Sequence, residues 1–201
     1  MQIEGPSVIE FQKTFLKARA KTETTVPELK PNTPPKPSGK EAVRVVAGWA
    51  DQSVNAIYAT MLSAVASSDA TVHITMAYFV PDPQTLEALK EAARRGVDVK
   101  LILPGFSDFW AVWHAGRSHY TELLAAGVKI YERKDRLLHA NTAVIDGVRT
   151  TIGSSNLDWR SFLHNHELNA VIVGSEFATQ MEGMFERELV AAAVRRRSRS
   201  H

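Results

Sequence analysis

The sequence predicts an α/β domain with a mixed, mostly parallel sheet, and three observations carry that expectation. From Val43 to Tyr131 short β-rich runs alternate with segments of helical length, the pattern of successive βαβ units. Val97–Leu103 is a continuous apolar run, which suits a strand buried on both faces. Asp146-Gly147 joins two β-rich runs with the two-residue signal of a type I′ turn, so an antiparallel element enters the sheet.

Each element follows from local pattern. Val43–Val46 reads as the first strand. Val54, Ile57, Tyr58, Met61, Leu62 and Val65 fall at i, i+3, i+4, i+7, i+8 and i+11, an amphipathic helix with Asp51 or Ser53 as its cap. Thr71–Phe79 is the next strand. Pro81-Asp82-Pro83 stops it and opens a helix through Leu86, Leu89 and Ala92 that ends at Gly96. The strand Val97–Leu103 follows, then a helix near Ser118–Ala126 ending at Gly127, and a strand at Val128–Tyr131. Thr142–Ile145 and Val148–Ile152 form the hairpin. Leu168–Val173 is the final strand, and Glu176–Val190 a helix whose apolar face carries Phe177, Met181, Met184 and Phe185.

The 201 residues suffice for one core of ordinary size, and 44% hydrophobic with 23% charged residues is the composition of a folded chain. Pro27, Pro31, Pro34, Pro35 and Pro37 make Lys21–Lys40 a linker between residues 1–20 and a domain over 41–192. Residues 193–201 form a basic tail. Arg195, Arg196, Arg197 and Arg199 exceed the whole net charge of +2, so the body is slightly acidic and no nucleic-acid partner is expected. With no cysteine, disulfides, thiolate metal sites and cysteine nucleophiles are excluded. No apolar run is long enough to span a bilayer and Met1–Lys21 lacks a signal-peptide core, so a cytoplasmic location is expected. A weak repeat links the two ends of the chain. Apolar residues stand at +3, +10 and +11 from Gly5 (Val8, Phe15, Leu16) and again from Gly174 (Phe177, Met184, Phe185).

The chemistry concentrates in Leu137–Asn169. Side chains two apart share a face of a strand, which would put His139 and Asn141 on one side. The small residues of Gly153-Ser154-Ser155-Asn156 let backbone amides approach an anion, and the hairpin brings them toward His139. A histidine beside such donors suits a phosphate site, with imidazole as nucleophile or acid. A lone histidine is more often a packed, hydrogen-bonded one; the spaced pattern sets His139 apart. His164, His166 and Glu167 are read as hydrogen-bond partners, and no metal or other cofactor is expected.

His139-Ala-Asn141, four residues to Asp146, six more to Gly153-Ser154, then Asn156, resembles the HxK(x)4D(x)6GSxN motif of the phospholipase D superfamily. Ala77-Tyr78-Phe79-Val80-Pro81-Asp82, Gly116-Arg117-Ser118-His119-Tyr120 and Asn156-Leu157-Asp158-Trp159-Arg160-Ser161-Phe162 resemble bacterial cardiolipin synthases in particular. The resemblance implies a phospholipase D-like domain, its sheet flanked by helices on both faces, with residues 1–20 as the closing strand and helix of a preceding domain. It implies phosphatidyl transfer between two phosphatidylglycerols through a phosphohistidine, with a second motif histidine protonating the leaving glycerol. Carried over by position, His139, Asp146 and Asn156 would be catalytic, the aspartate supporting the histidine. Asn141, Ser154 and Glu167 would bind substrate, with Arg117 and His119 reaching lipid phosphates.

Two departures stand out. Asn141 replaces the motif lysine and its charge, and one motif is present where the mechanism uses two. The implied partners are anionic phospholipid, the inner membrane surface, and either a second copy or a separately encoded first half. The competing classes are a non-catalytic remnant that binds phospholipid or a partner, and a homodimeric phosphodiesterase or nuclease. Trp110 and Trp113, with Phe106 and Phe109, are candidates for membrane-interface contact.

Overall fold

In a computed structural model, residues 2–22, 35–50 and 55–195 are described, the last three by their backbone. The expected cap at Asp51 or Ser53, most of the Pro-rich linker and the tail arginines beyond Arg195 lie outside these residues. Helix α1 (Ser7–Thr22) packs on strand β1 (Ala42–Gly48), with Ser7 Oγ donating to Val43 O at 2.9 Å. Residues 2–4 are irregular, so the described residues show the helix but no strand of the closing pair expected over 1–20.

The chain continues through α2 (Ala56–Ala66), β2 (Thr71–Thr75), β3 (Phe79–Val80), α3 (Pro83–Arg94), β4 (Asp98–Pro104), α4 (Trp110–Ser118), α5 (Tyr120–Ala126) and β5 (Lys129–Arg133). Then follow β6 (Thr142–Ile145), β7 (Arg149–Gly153), β8 (Leu157–Asp158), α6 (Trp159–Leu163), β9 (Glu167–Val173), α7 (Ser175–Val190) and β10 (Ala193–Arg195). One sheet has the order β1-β9-β7-β6-β2-β4-β5-β10, and β3 pairs with β8 apart from it.

The α/β class and the mixed sheet with helices on both faces are as expected, but the sheet is not mostly parallel. Among the described residues its parallel ladders are β2–β4 and β4–β5; every other neighbour in the order is antiparallel. The reason is where β1 goes. It pairs with β9 rather than β2, so the α2 crossover does not join parallel neighbours. The hairpin then carries the chain antiparallel through β6, β7 and β9. Its turn is the expected one, since Asp146 and Gly147 both have positive φ, 54° and 61°.

One face of the sheet, with Val72, Ile74, Leu101 and Ile130, meets Met61 and Val65 of α2, Leu86 and Leu89 of α3 and Leu123 of α5. The other face meets α7 through Ile102 with Phe185, and Val144 with Ala178 and Met181. Buried His73 of β2 fastens α7, its Nδ1 2.6 Å from Glu182 Oε2 and its ring stacked on Phe185 at 4.7 Å. Met184, read as part of the α7 core stripe, is half exposed.

Asn55 caps α2, its Oδ1 accepting from Ile57 N and Tyr58 N, while its Nδ2 donates to Phe162 O at 2.9 Å. Asn55→Ala is expected to cost about 2 kcal/mol in chemical denaturation, a lost cap plus an unsatisfied buried carbonyl.

Candidate functional site

Strand polarity gathers the motif at one end of the sheet. Because β6 is antiparallel to β2 and β7 antiparallel to β6, the start of β6, the end of β7, the end of β2 and the start of β9 lie together. His139, Asn141, the Gly153–Asn156 loop, Ala77-Tyr78 and Glu167 all belong to this end. Gly153 N donates to Asn141 O at 3.2 Å, which closes the hairpin base.

The two motif asparagines shape the backbone here. Asn141 Oδ1 accepts from Ala77 N at 3.1 Å, and its Nδ2 donates to Ser154 O at 2.9 Å. Asn156 Oδ1 accepts from Tyr78 N at 3.3 Å, and its own N–H donates to Ser161 Oγ. With two consecutive amides taken by side chains, the segment expected as one strand over Thr71–Phe79 leaves the main sheet at Thr75 and pairs again only as β3, with β8. Ser154 is tied to β9, N to Leu168 O at 3.1 Å and Oγ accepting from Leu168 N at 3.0 Å. Buried Asn169, which the sequence did not single out, accepts from Ser155 N at 3.3 Å and donates to Thr151 Oγ1 at 3.1 Å.

Gly153 is the steric keystone. A Cβ there would stand 2.1 Å from Asn169 Oδ1 and 2.3 Å from Leu168 O. Gly153→Ala is expected to lower stability by about 2–3 kcal/mol, measurable in thermal unfolding, because backbone must shift to relieve the contact.

His139 is exposed and makes no hydrogen bond among the described residues. It lines a cavity of about 350 Å³ between the sheet and α7, with Thr75, Thr142, Arg136, Met181, Met184 and Phe185 among its other walls. Asn141 is not among those walls. Residues 138–141 run without strand pairing, so the two-residue rule that would align His139 with Asn141 does not operate.

Asp146 is not where the motif reading put it. It sits at the opposite end of β6, in the turn, where its Oδ1 accepts from Ala70 N at 2.9 Å, Thr71 N at 3.1 Å and Asp69 N at 3.2 Å. Arg149 Nη2 donates to Oδ2 at 2.6 Å. Burial alone would raise this carboxyl, but those amides and Arg149 outweigh it and hold the group below its ordinary value. Asp146 therefore fastens the hairpin turn to the start of β2 and gives His139 no direct support.

Arg117 is also committed elsewhere. Its Nη1 lies 2.5 Å from Oε1 of the fully buried Glu132, and its guanidinium stacks 4.3 Å from the Trp113 ring. Burial pushes the Glu132 carboxyl up despite the guanidinium beside it. His119 Nδ1 is 3.0 Å from Glu122 Oε1. The two therefore brace α4 and α5, and neither lines the cavity at His139. Glu167 is buried and accepts from Asn165 Nδ2 at 3.0 Å. His166 Nδ1 accepts from Ala50 N at 3.2 Å, and His164 packs edge-on against Trp159. No cluster of three or more metal-ligating side chains occurs among the described residues.

Helix α4, absent from the expected elements, has no buried apolar stripe to betray it. Gly116 is its buried residue, pressed on Phe79 O, while Trp110 is 72% exposed and Phe106 and Phe109 are also exposed. Among the described residues no helix is long and apolar enough to cross a membrane.

Comparison with known proteins agrees with this architecture. Residues 61–189 match the family model described as cardiolipin synthase, PLD-like domain. A cardiolipin synthase of Geobacillus thermodenitrificans is 38% identical over 147 residues, 73% of this chain and 29% of the relative. A cardiolipin synthase of Halalkalibacterium halodurans is 35% identical over 193 residues, 94% of this chain and 38% of the relative. The chain thus spans about a third of the length of these curated relatives. Among solved structures, the phospholipase D family member Nuc of Salmonella typhimurium superposes with a TM-score of 0.68 at 20% identity, covering 79% of this chain and all of that one. Phosphatidylserine synthase of Haemophilus influenzae gives 0.68 at 13% identity, covering 89% of this chain and 45% of that one. At such identities the two structures speak for the fold alone. The family model covers more than half of the sequence, and by it the chain belongs to the cardiolipin synthase family of PLD-like domains.

Proposed function

We propose that this chain supplies His139 as one of the two histidines of a phosphatidyl transfer of cardiolipin synthase type, acting on phosphatidylglycerol at the inner membrane face. The observation that carries the reading is His139 itself, exposed, free of hydrogen bonds among the described residues, and open to a cavity between the sheet and α7. In the first step a histidine ring nitrogen bonds to phosphorus as the P–O bond to glycerol breaks, and the second histidine gives its proton to the glycerol oxygen. In the second step the hydroxyl of another phosphatidylglycerol attacks phosphorus, returns a proton to that second histidine, and breaks the P–N bond. Cardiolipin and glycerol are the products. The second histidine comes from a complementary domain or a second copy.

A second reading, a non-catalytic domain that binds phospholipid or a partner, is favoured by Asn141. Its side-chain amide is spent on Ala77 N and Ser154 O, where the motif cation would otherwise meet phosphate oxygens. One experiment separates the two. The chain is incubated with labelled phosphatidylglycerol vesicles, alone and with a PLD-like domain carrying an intact HxK motif. Cardiolipin formed in the mixture supports transfer; vesicle binding with no cardiolipin supports the second reading and removes the first.

A further inference from the structure

Asn141 leaves the phosphate site beside His139 without the motif cation, yet a guanidinium lines the same cavity. Arg136 is 60% exposed, and its Nη2 donates to Glu188 Oε1 at 2.6 Å. Glu188 does not depend on it. Its Oε2 is held at 2.5 Å by Arg133 Nη1, and Arg133 grips Asp135 through Nε at 2.6 Å and Nη2 at 2.9 Å. Arg136 can therefore turn to another anion while Glu188 keeps a partner. The exchange is favourable because an exposed ion pair contributes little, whereas a guanidinium meets a phosphate with two parallel hydrogen bonds.

Beyond Arg136 and His139 the cavity turns apolar. Val144, Met181, Leu138 and Phe185 are buried along it, and Leu137 and Met184 stand about half exposed at its edge. Its volume of about 350 Å³ and its mix of apolar walls with a few polar groups fit a small-ligand site. Methionines on such a wall adapt to flexible alkyl chains.

We propose that this cavity binds an anionic amphiphile, a phosphate ester bearing an alkyl chain, with Arg136 on the phosphate beside His139 and the chain lying along Met181, Met184 and Phe185. The inference rests on the phosphatidyl-transfer reading for which phosphate is held there, and deepens it by naming the cation and the tail site. Arg136 holds the bound phosphate, a ground-state contact that leaves the transition-state charge lost with the motif lysine at Asn141 unreplaced.

The test is calorimetric titration of the full chain with octyl phosphate below its micelle concentration, and with inorganic phosphate in parallel. Octyl phosphate is expected to bind about tenfold tighter than inorganic phosphate or better, a gap that measures the alkyl contact. Arg136→Gln is expected to weaken both by about tenfold, with the melting temperature confirming a folded chain. Met184→Gln at the exposed edge is expected to shrink the octyl advantage and leave phosphate binding unchanged. Equal affinity for the two probes, or octyl phosphate binding unaltered by Arg136→Gln, overturns the proposal. Failure of cardiolipin formation with octyl phosphate binding intact would instead remove the transfer reading and leave the anionic amphiphile site standing.

Discussion

Asp146→Ala is expected to lower the unfolding free energy by about 3 kcal/mol, since it strips a mostly buried carboxylate from three backbone amides and from Arg149. The alanine must also hold φ near +54°, a conformation that aspartate tolerates and alanine does not. Asp146→Asn keeps both the turn and an acceptor oxygen, and is expected to lose less. The effect carries a pH signature. The folded carboxyl titrates below the ordinary aspartate value of 3.8, so its contribution is fully present above that pH and disappears as pH falls through the folded value. The gap between wild type and Asp146→Ala in chemical denaturation should therefore be wide at neutral pH and close in acid. A second readout tests placement: Asp146→Asn, assayed cold where it stays folded, should retain the phosphatidyl transfer of the wild type. Loss of transfer in a folded Asp146→Asn chain would mean that the aspartate does reach His139.

Asn141→Lys is expected to raise phosphatidyl transfer in the presence of a complementary domain by about 100- to 1,000-fold, the usual worth of one charge aimed at a transition-state oxyanion. The same substitution should cost about 1–2 kcal/mol in stability. A lysine can still donate to Ser154 O, but nothing then accepts from Ala77 N. Faster turnover in a less stable protein is thus the expected pair of results. An unchanged rate with unchanged stability would contradict both roles assigned to Asn141.

Much of this was legible in the sequence because it was local. The apolar run that became β4 and the Asp-Gly turn between β6 and β7 carry their own signals, and α3 announces itself through Asp82 as cap and Pro83 in its first turn. What was not legible depended on distant partners. The proportion of parallel strands turned on β1 choosing β9, 125 residues away at the Val45–Ala170 pairing. The early end of β2 depended on Asn141 and Asn156 capturing the amides of Ala77 and Tyr78. Helix α4 buries too little to show a stripe.

The site divides in the same way. Motif spacing brought His139, Asn141 and the Gly153–Asn156 loop to one end of the sheet, as a hairpin must. It misplaced Asp146 because a four-residue strand stands between that residue and the histidine's end, and β6 carries them apart. Arg117 and His119 carry no sign in the sequence of the acidic partners that hold them, Glu132 and Glu122.

The central claim is that His139 is a reacting group of a phosphatidyl transfer completed by a second histidine. It is tested most directly by mixing this chain with a PLD-like domain that carries an intact HxK motif, on labelled phosphatidylglycerol vesicles, and comparing wild type with His139→Ala. The account predicts cardiolipin and free glycerol from the wild-type mixture, and neither above background from the His139→Ala mixture although that variant stays folded. Equal product from both mixtures would contradict it.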